Sequence, residues 1–142
     1  MNLSARNQLT GVVSAIADGA INDEVELTLK GGQKLVALVT KASREAMGLA
    51  KGKEAIALIK APWVVLAAMD CGLKFSARNQ YVGKITKITK GAVNDTVTVK
   101  VDDTLELVAV VTDESVGNMN LNVGDSITAL IKASSVLLAV KA

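Results

Sequence analysis

The chain repeats itself. An offset of 72 positions, Ser76 against Ser4, lays Leu3–Asp70 on Phe75–Ala142 without a gap, and roughly two positions in five are identical. A period near 70 residues is longer than a solenoid repeat, so each copy is expected to be a complete small domain, 1–70 and 71–142. Domains of that size sit near the lower limit for a self-sufficient core. Half of the residues are apolar, yet there is a single Trp, a single Tyr and a single Phe, so the apolar surface is almost wholly aliphatic. Aliphatic surface left over by each small domain is expected to be buried against another copy, within the chain and between chains. The expectation is an oligomer.

Within each repeat the hydrophobic period is two, cleanest in Val25-Glu26-Leu27-Thr28-Leu29 and its counterpart Val97-Thr98-Val99-Lys100-Val101. Around the first of these, Gln8–Ala17, Lys34–Thr40, Glu54–Lys60 and Val64–Ala68 read as further strands, with Gly31-Gly32 turning the second into the third. Asp102-Asp103 replaces the glycine pair in the second copy. Short helical turns are expected at Ala42–Gly48 and Glu114–Asn120, with Ser43 and Ser115 placed to begin them. Five strands and one short helix per copy predict an all-β chain of two tandem OB-like five-stranded barrels. Met69–Lys74 reads as a short linker between them.

The residues that carry chemistry recur with the repeat. Ser4-Ala5-Arg6-Asn7-Gln8 returns as Ser76-Ala77-Arg78-Asn79-Gln80, and about 54 residues after each arginine an apolar strand ends in Lys60-Ala61 or Lys132-Ala133. Each copy therefore pairs two cations with neutral donors, which suits a small, compact, multiply charged oxyanion. A lysine that closes an apolar run must either reach water or meet an anion. The hydroxyls of Thr40, Ser43, Thr112 and Ser115 can donate to the same ligand or cap the helical turns, and the residues alone leave both open. The loop Gly19-Ala20-Ile21-Asn22-Asp23, repeated as Gly91-Ala92-Val93-Asn94-Asp95, is a second candidate. Its composition suits a tight turn with positive-φ glycine and Asx geometry, and also a nest of backbone N–H groups.

Charge and composition narrow the classes. The net charge is +2, with eight basic and seven acidic residues in each half, so neither half is a polybasic module. An OB-type nucleic-acid module would stack bases on aromatic side chains, and aromatics are 2% of this chain. With no histidine and a single cysteine, Cys71, zinc sites, imidazole catalysis and disulfide frameworks lose their support. No nucleophile–base pair and no phosphate-binding glycine loop is evident, so an enzyme is not expected. The chain shows neither a leader pattern nor an apolar run approaching 18 residues, and reads as a cytoplasmic protein without a membrane partner.

Together the duplicated Ser-Ala-Arg-Asn, the Gly-Ala-Ile/Val-Asn-Asp loop and the Lys-Ala-Pro/Ser strand end resemble the molbindins, oxyanion-binding proteins built of Mop (TOBE-type) domains. The likeness covers essentially the whole chain, in both copies and in order. It implies an OB-like fold, assembly of di-domain chains into a homotrimer, and cytoplasmic storage and buffering of molybdate or tungstate, with no other cofactor and no nucleic-acid partner. Residue by residue, it implies one class of site that draws on Ser4, Ala5, Arg6 and Asn7 of one domain and on Thr40, Ser43, Lys60 and Ala61 of a neighbouring one. The second copy supplies Ser76, Ala77, Arg78, Asn79, Thr112, Ser115, Lys132, Ala133 and Ser134. A second class is implied near the threefold axis, at main-chain amides of Gly19, Ala20, Ile21 and Asn22 and of Gly91, Ala92, Val93 and Asn94. Asp23 and Asp95 are expected to face away from an anion there. An OB-type nucleic-acid-binding module, and sensing of the oxyanion for a partner protein, are the alternative readings. The repeats diverge after the lysine, Pro62-Trp63 against Ser134-Ser135, so the two sites are expected to differ in strength because proline offers no N–H.

Overall fold

The computed structural model describes residues 3–142, and nearly all of their order is β. The first repeat gives β1 (Asn7–Ala17), β2 (Asn22–Leu29), β3 (Lys34–Thr40), α1 (Lys41–Met47), β4 (Glu54–Ile59) and β5 (Val65–Ala68). The second gives β6 (Asn79–Thr89), β7 (Asn94–Asp102), β8 (Leu105–Thr112), α2 (Asp113–Asn118), β9 (Ser126–Ile131) and β10 (Leu137–Ala139). A single 3-10 turn, Ala61–Trp63 or Ala133–Ser135, precedes β5 and β10.

Two five-stranded antiparallel sheets result, in the orders β10-β4-β1-β2-β3 and β5-β9-β6-β7-β8. In each, the outermost strands also pack together, β10 on β3 and β5 on β8, which closes the sheet into a barrel. The period-two pattern sends one face inward: Val13, Val25, Leu27, Leu35, Ala37, Ala57 and Ile59 fill the first barrel, and Ile85, Val97, Val99, Leu107, Ala109, Ile127 and Ile131 the second. Barrel curvature comes from a bulge in the long first strand of each copy, at Ser14 between Val13 and Ala15 and at Thr86 between Ile85 and Lys87. The Ser14 hydroxyl donates to Glu26 across the bulge, at 3.0 Å to the carboxylate.

The expected strands are present to within a few residues, but the folded units do not coincide with the sequence repeats at 70/71. One compact unit comprises the described residues up to Ile59 together with Lys132–Ala142, and the other is Lys60–Ile131. Each repeat therefore sends its fifth strand to the sheet built by the other: β10 pairs with β4 through Leu138↔Ala57, and β5 with β9 through Leu66↔Ala129. The segment Met69–Lys74, expected as an interdomain linker, joins β5 to β6 inside one unit. The chain passes between units at Ile59–Lys60 and Ile131–Lys132 instead. The helical turns also start earlier than expected. Thr40 and Thr112, not Ser43 and Ser115, are the caps, because a residue with extended φ/ψ of −68° and 147° can accept from the N–H three residues on.

Candidate oxyanion-binding site

The hydroxyl pairs sit where a strand runs into a helical turn. Thr40 Oγ1 accepts the Ser43 N–H at 3.1 Å and donates its own proton to Ser43 Oγ at 2.8 Å. Thr112 and Ser115 repeat this at 3.1 and 2.7 Å. Cap and ligand roles are thus compatible: the threonine satisfies the helix, while the serine hydroxyl proton remains to donate outward.

The strand exchange decides which lysine segment meets which hydroxyl pair. In the first unit the Ala133–Ser135 turn packs on β3, the strand that ends in Thr40. In the second the Ala61–Trp63 turn packs on β8, which ends in Thr112, and a cavity of about 370 Å³ there is lined by Pro62, Val64, Asn94, Thr112, Ser115 and Met119 among others. Thr40 and Ser43 therefore share a unit with Lys132, Ala133 and Ser134, and Thr112 and Ser115 with Lys60, Ala61 and Pro62. The lysine follows the crossing point of the chain and leaves with the fifth strand. Ala61 and Ala133 are buried and anchor the turns, Trp63 and Ser135 donate their N–H to the carbonyls of Lys60 and Lys132 at 2.9 Å, and both lysine side chains are exposed. The Lys60 ammonium lies 5.8 Å from the Trp63 ring centroid, a cation–π contact that Ser135 cannot offer Lys132.

The Ser-Ala-Arg-Asn segments lead into β1 and β6. Asn7 is only 3% exposed and its carboxamide donates to the Ile59 carbonyl at 3.2 Å, so this candidate ligand ties β1 to the end of β4. Asn79 is equally buried and pairs with Ile131. Arg6, Ser4, Arg78 and Ser76 are exposed, and Ala5 and Ala77 half-buried. The preceding loop is shaped by glutamines outside the candidate set: Gln8 and Gln80 donate to the Ala5 and Ala77 carbonyls at 3.0 Å. Their recurrence at the end of the pentapeptide was the available sign.

In the Gly19–Asn22 loop the glycine is required for space, not for a positive φ. A Cβ on Gly19 would lie 2.1 Å from the Asn22 carbonyl oxygen, and one on Gly91 2.2 Å from that of Asn94. Asp23 turns inward and is completely buried. It accepts the Gly19 N–H at 2.9 Å, Arg44 Nε at 2.6 Å and Lys41 Nζ at 3.0 Å. The Gly19 N–H first, then Lys41 and Arg44, hold its pKa down at about 2. Arg44 and Lys41 were not singled out in the sequence, since they lie on α1, 21 and 18 residues from Asp23. The turn residues Ala20, Ile21 and Asn22 and their counterparts Ala92, Val93 and Asn94 are exposed, with Ile21 and Val93 at 76% and 70%.

Among the described residues no group of three or more His, Cys, Asp or Glu could hold a bare metal ion, and no helix is long and apolar enough to cross a membrane. The TOBE domain profile matches the chain twice, at residues 3–66 and 76–138. Curated relatives include the molybdenum transport protein ModE of Herbaspirillum seropedicae, 38% identical over 141 residues, and the molybdenum-pterin-binding protein MopA of Rhodobacter capsulatus, 41% identical over 139. These alignments cover 99% and 98% of the chain but 52% of each relative, so the chain spans about half the length of the curated relatives it matches. The crystal structure of the cytoplasmic molybdate-binding protein ModG with molybdate bound is 45% identical, with a TM-score of 0.94 over 99% of this chain and all of that one. Fold, duplicated motifs and kinship agree: the chain belongs to the TOBE-domain family as a tandem member of the molbindin type.

Proposed function

We propose that the protein binds molybdate or tungstate as the intact tetrahedral oxyanion, in the cytoplasm, and stores and buffers it; it is a binding protein and not an enzyme. The observation that supports this reading is that, in both units, the turn following a lysine packs on the strand that ends in a threonine–serine pair from the other repeat. Such a group offers donors to an anion whose oxygens only accept at neutral pH. The molybdate-bound relative, similar over its full length, supports the choice of anion. Arg6 and Arg78 complete the sites from neighbouring domains, and the turns Ala20–Asn22 and Ala92–Asn94 offer main-chain amides to the second class, the Gly19 and Gly91 N–H groups being taken by Asp23 and Asp95. Exposed aliphatics at matching positions, Ile21 with Val93 and Val65 with Leu137, supply the surface a homotrimer would bury.

Calorimetric titration with molybdate, tungstate, sulfate and phosphate tests the reading. Strong heats with the first two and weak heats with the others are expected; equal heats from all four leave a generic anion site. The regulator names among the relatives, and the half-length match to them, favour sensing as a second reading. A retained complex with a partner protein that forms only in molybdate would select it.

A further inference from the structure

The second unit's cavity holds more room than one inorganic oxyanion fills. Its volume of about 370 Å³ lies in the range of sites for small organic molecules. Four oxygens at about 30 Å³ each, the share of a water molecule, account for about a third of it. One end is polar: Asn94 and Thr112 are partners across β7 and β8, and Ser115 follows in α2. Thr112 gives its hydroxyl proton to Ser115 Oγ at 2.7 Å, so the Ser115 proton and the Asn94 carboxamide are what this end can donate. The rest of the lining is aliphatic, contributed by Val64, Val65 and Leu66 around β5 and by Val110, Met119 and Leu121 from β8 and the end of α2.

At these positions the two repeats differ in one direction. Offset by 72, Val65 and Val110 correspond to Leu137 and Leu38, each one carbon larger, and Pro62 to Ser134, while every other lining position carries the same residue. The donors are thus identical in the two units, and the aliphatic part is wider in the second. We propose that the second unit's site takes a tetrahedral oxyanion carrying a short aliphatic arm, a phosphate monoester or phosphonate, where the first unit's leucines leave room for the bare anion. The head takes the Ser115 and Asn94 protons, with Lys60, two residues ahead of Pro62, as the cation of the same unit; this half rests on the oxyanion reading above. The arm lies along Val65 and Val110. A wholly apolar occupant would leave the donors unpaired, and a bare anion would leave the aliphatic wall in water, whereas an amphipathic anion answers both.

The size of the effect follows from the arm. Each methylene that leaves water for an apolar wall raises affinity about fourfold. Val65 is 56% exposed, so the arm is only partly enclosed. Three further methylenes at about half burial then give roughly a tenfold gain.

Calorimetric titration of the full chain with methylphosphonate and butylphosphonate, beside molybdate, tests it. Butylphosphonate is expected to bind about tenfold more tightly than methylphosphonate. The double change Val65→Leu with Val110→Leu, which installs the residues the first unit already carries, should bring that ratio close to one. Should the double variant fail to fold, Val110→Leu alone should lower the ratio about fourfold. Molybdate binding with equal affinities for the two phosphonates, as when a second copy of the chain fills the groove, overturns the proposal and leaves the oxyanion reading standing. No binding of molybdate or of either phosphonate overturns both. A tenfold ratio that survives the leucine changes puts the arm elsewhere and overturns the proposal as well.

Discussion

Asp23 is the residue on which the first unit's loop hangs, since one carboxylate gathers a backbone N–H, a guanidinium and an ammonium. Asp23→Asn should therefore melt several degrees lower at neutral pH and lose the decline expected of wild type below about pH 4, which thermal scans across acid pH would reveal. Glycines make a second residue-scale contrast. A Cβ on Gly83 would meet the Lys100 carbonyl oxygen at 2.6 Å and Val99 Cγ1 at 2.8 Å, where β6 and β7 come close, whereas one on Gly117 in α2 meets nothing within 4 Å. Gly83→Ala should cost roughly 1–3 kcal/mol, as overpacking does. Gly117→Ala should be neutral or stabilise by up to about 1 kcal/mol, since the helical backbone admits alanine and its unfolded state loses freedom. Denaturant melts of the two variants distinguish these outcomes.

At the scale of elements, the exchanged fifth strand is the feature with the largest consequences. Residues 60–131 contain β5 through β9 and every strand of the second sheet, while 71–142, the sequence repeat, lacks β5 and carries β10 without its partner β4. A chain of 60–131 should unfold cooperatively as a monomer, and one of 71–142 should self-associate or melt earlier because β9 is left with an open edge. Circular dichroism and gel filtration of both would show it. The lysines belong here too, because each stands at a crossing point. Lys132→Met keeps much of the aliphatic stem and should leave the secondary structure unchanged while weakening molybdate about ten- to a hundredfold, the loss of one charged hydrogen bond. Lys60→Met should affect a different subset of sites, and by less, because Trp63 competes for that ammonium and Pro62 gives no N–H.

For the molecule as a whole, the exposed aliphatics of the loops and fifth strands bear on assembly. Light scattering of the anion-free protein should give about three times the chain mass of 14.7 kDa. A ligand that binds the assembled state should raise the melting temperature, with about 2.7 kcal/mol of added stability at a hundred times the dissociation constant. A monomer at micromolar concentration, with no shift in saturating molybdate, would remove both the trimer and the interface sites.

Strand positions, turn positions and the hydroxyl caps were legible in the sequence because they rest on local rules: period two for half-buried strands, a glycine where backbone must approach backbone, a hydroxyl where a helix begins. So was the inward turn of Asp23, since a carboxylate beside a donor loop has few other places to go. What the sequence left open was partnership. Val65-Leu66-Ala67-Ala68 and Leu137-Leu138-Ala139-Val140 are nearly the same strand, and an alternating pattern specifies the face a strand buries but not which of two equivalent sheets receives it. The tertiary structure made that choice, and with it decided that Thr40 keeps company with Lys132 and Thr112 with Lys60. It also decided that Arg44 and Lys41 reach Asp23 while no cation reaches Asp95 Oδ2, a matter of how a short helix folds back on a strand some 20 residues distant.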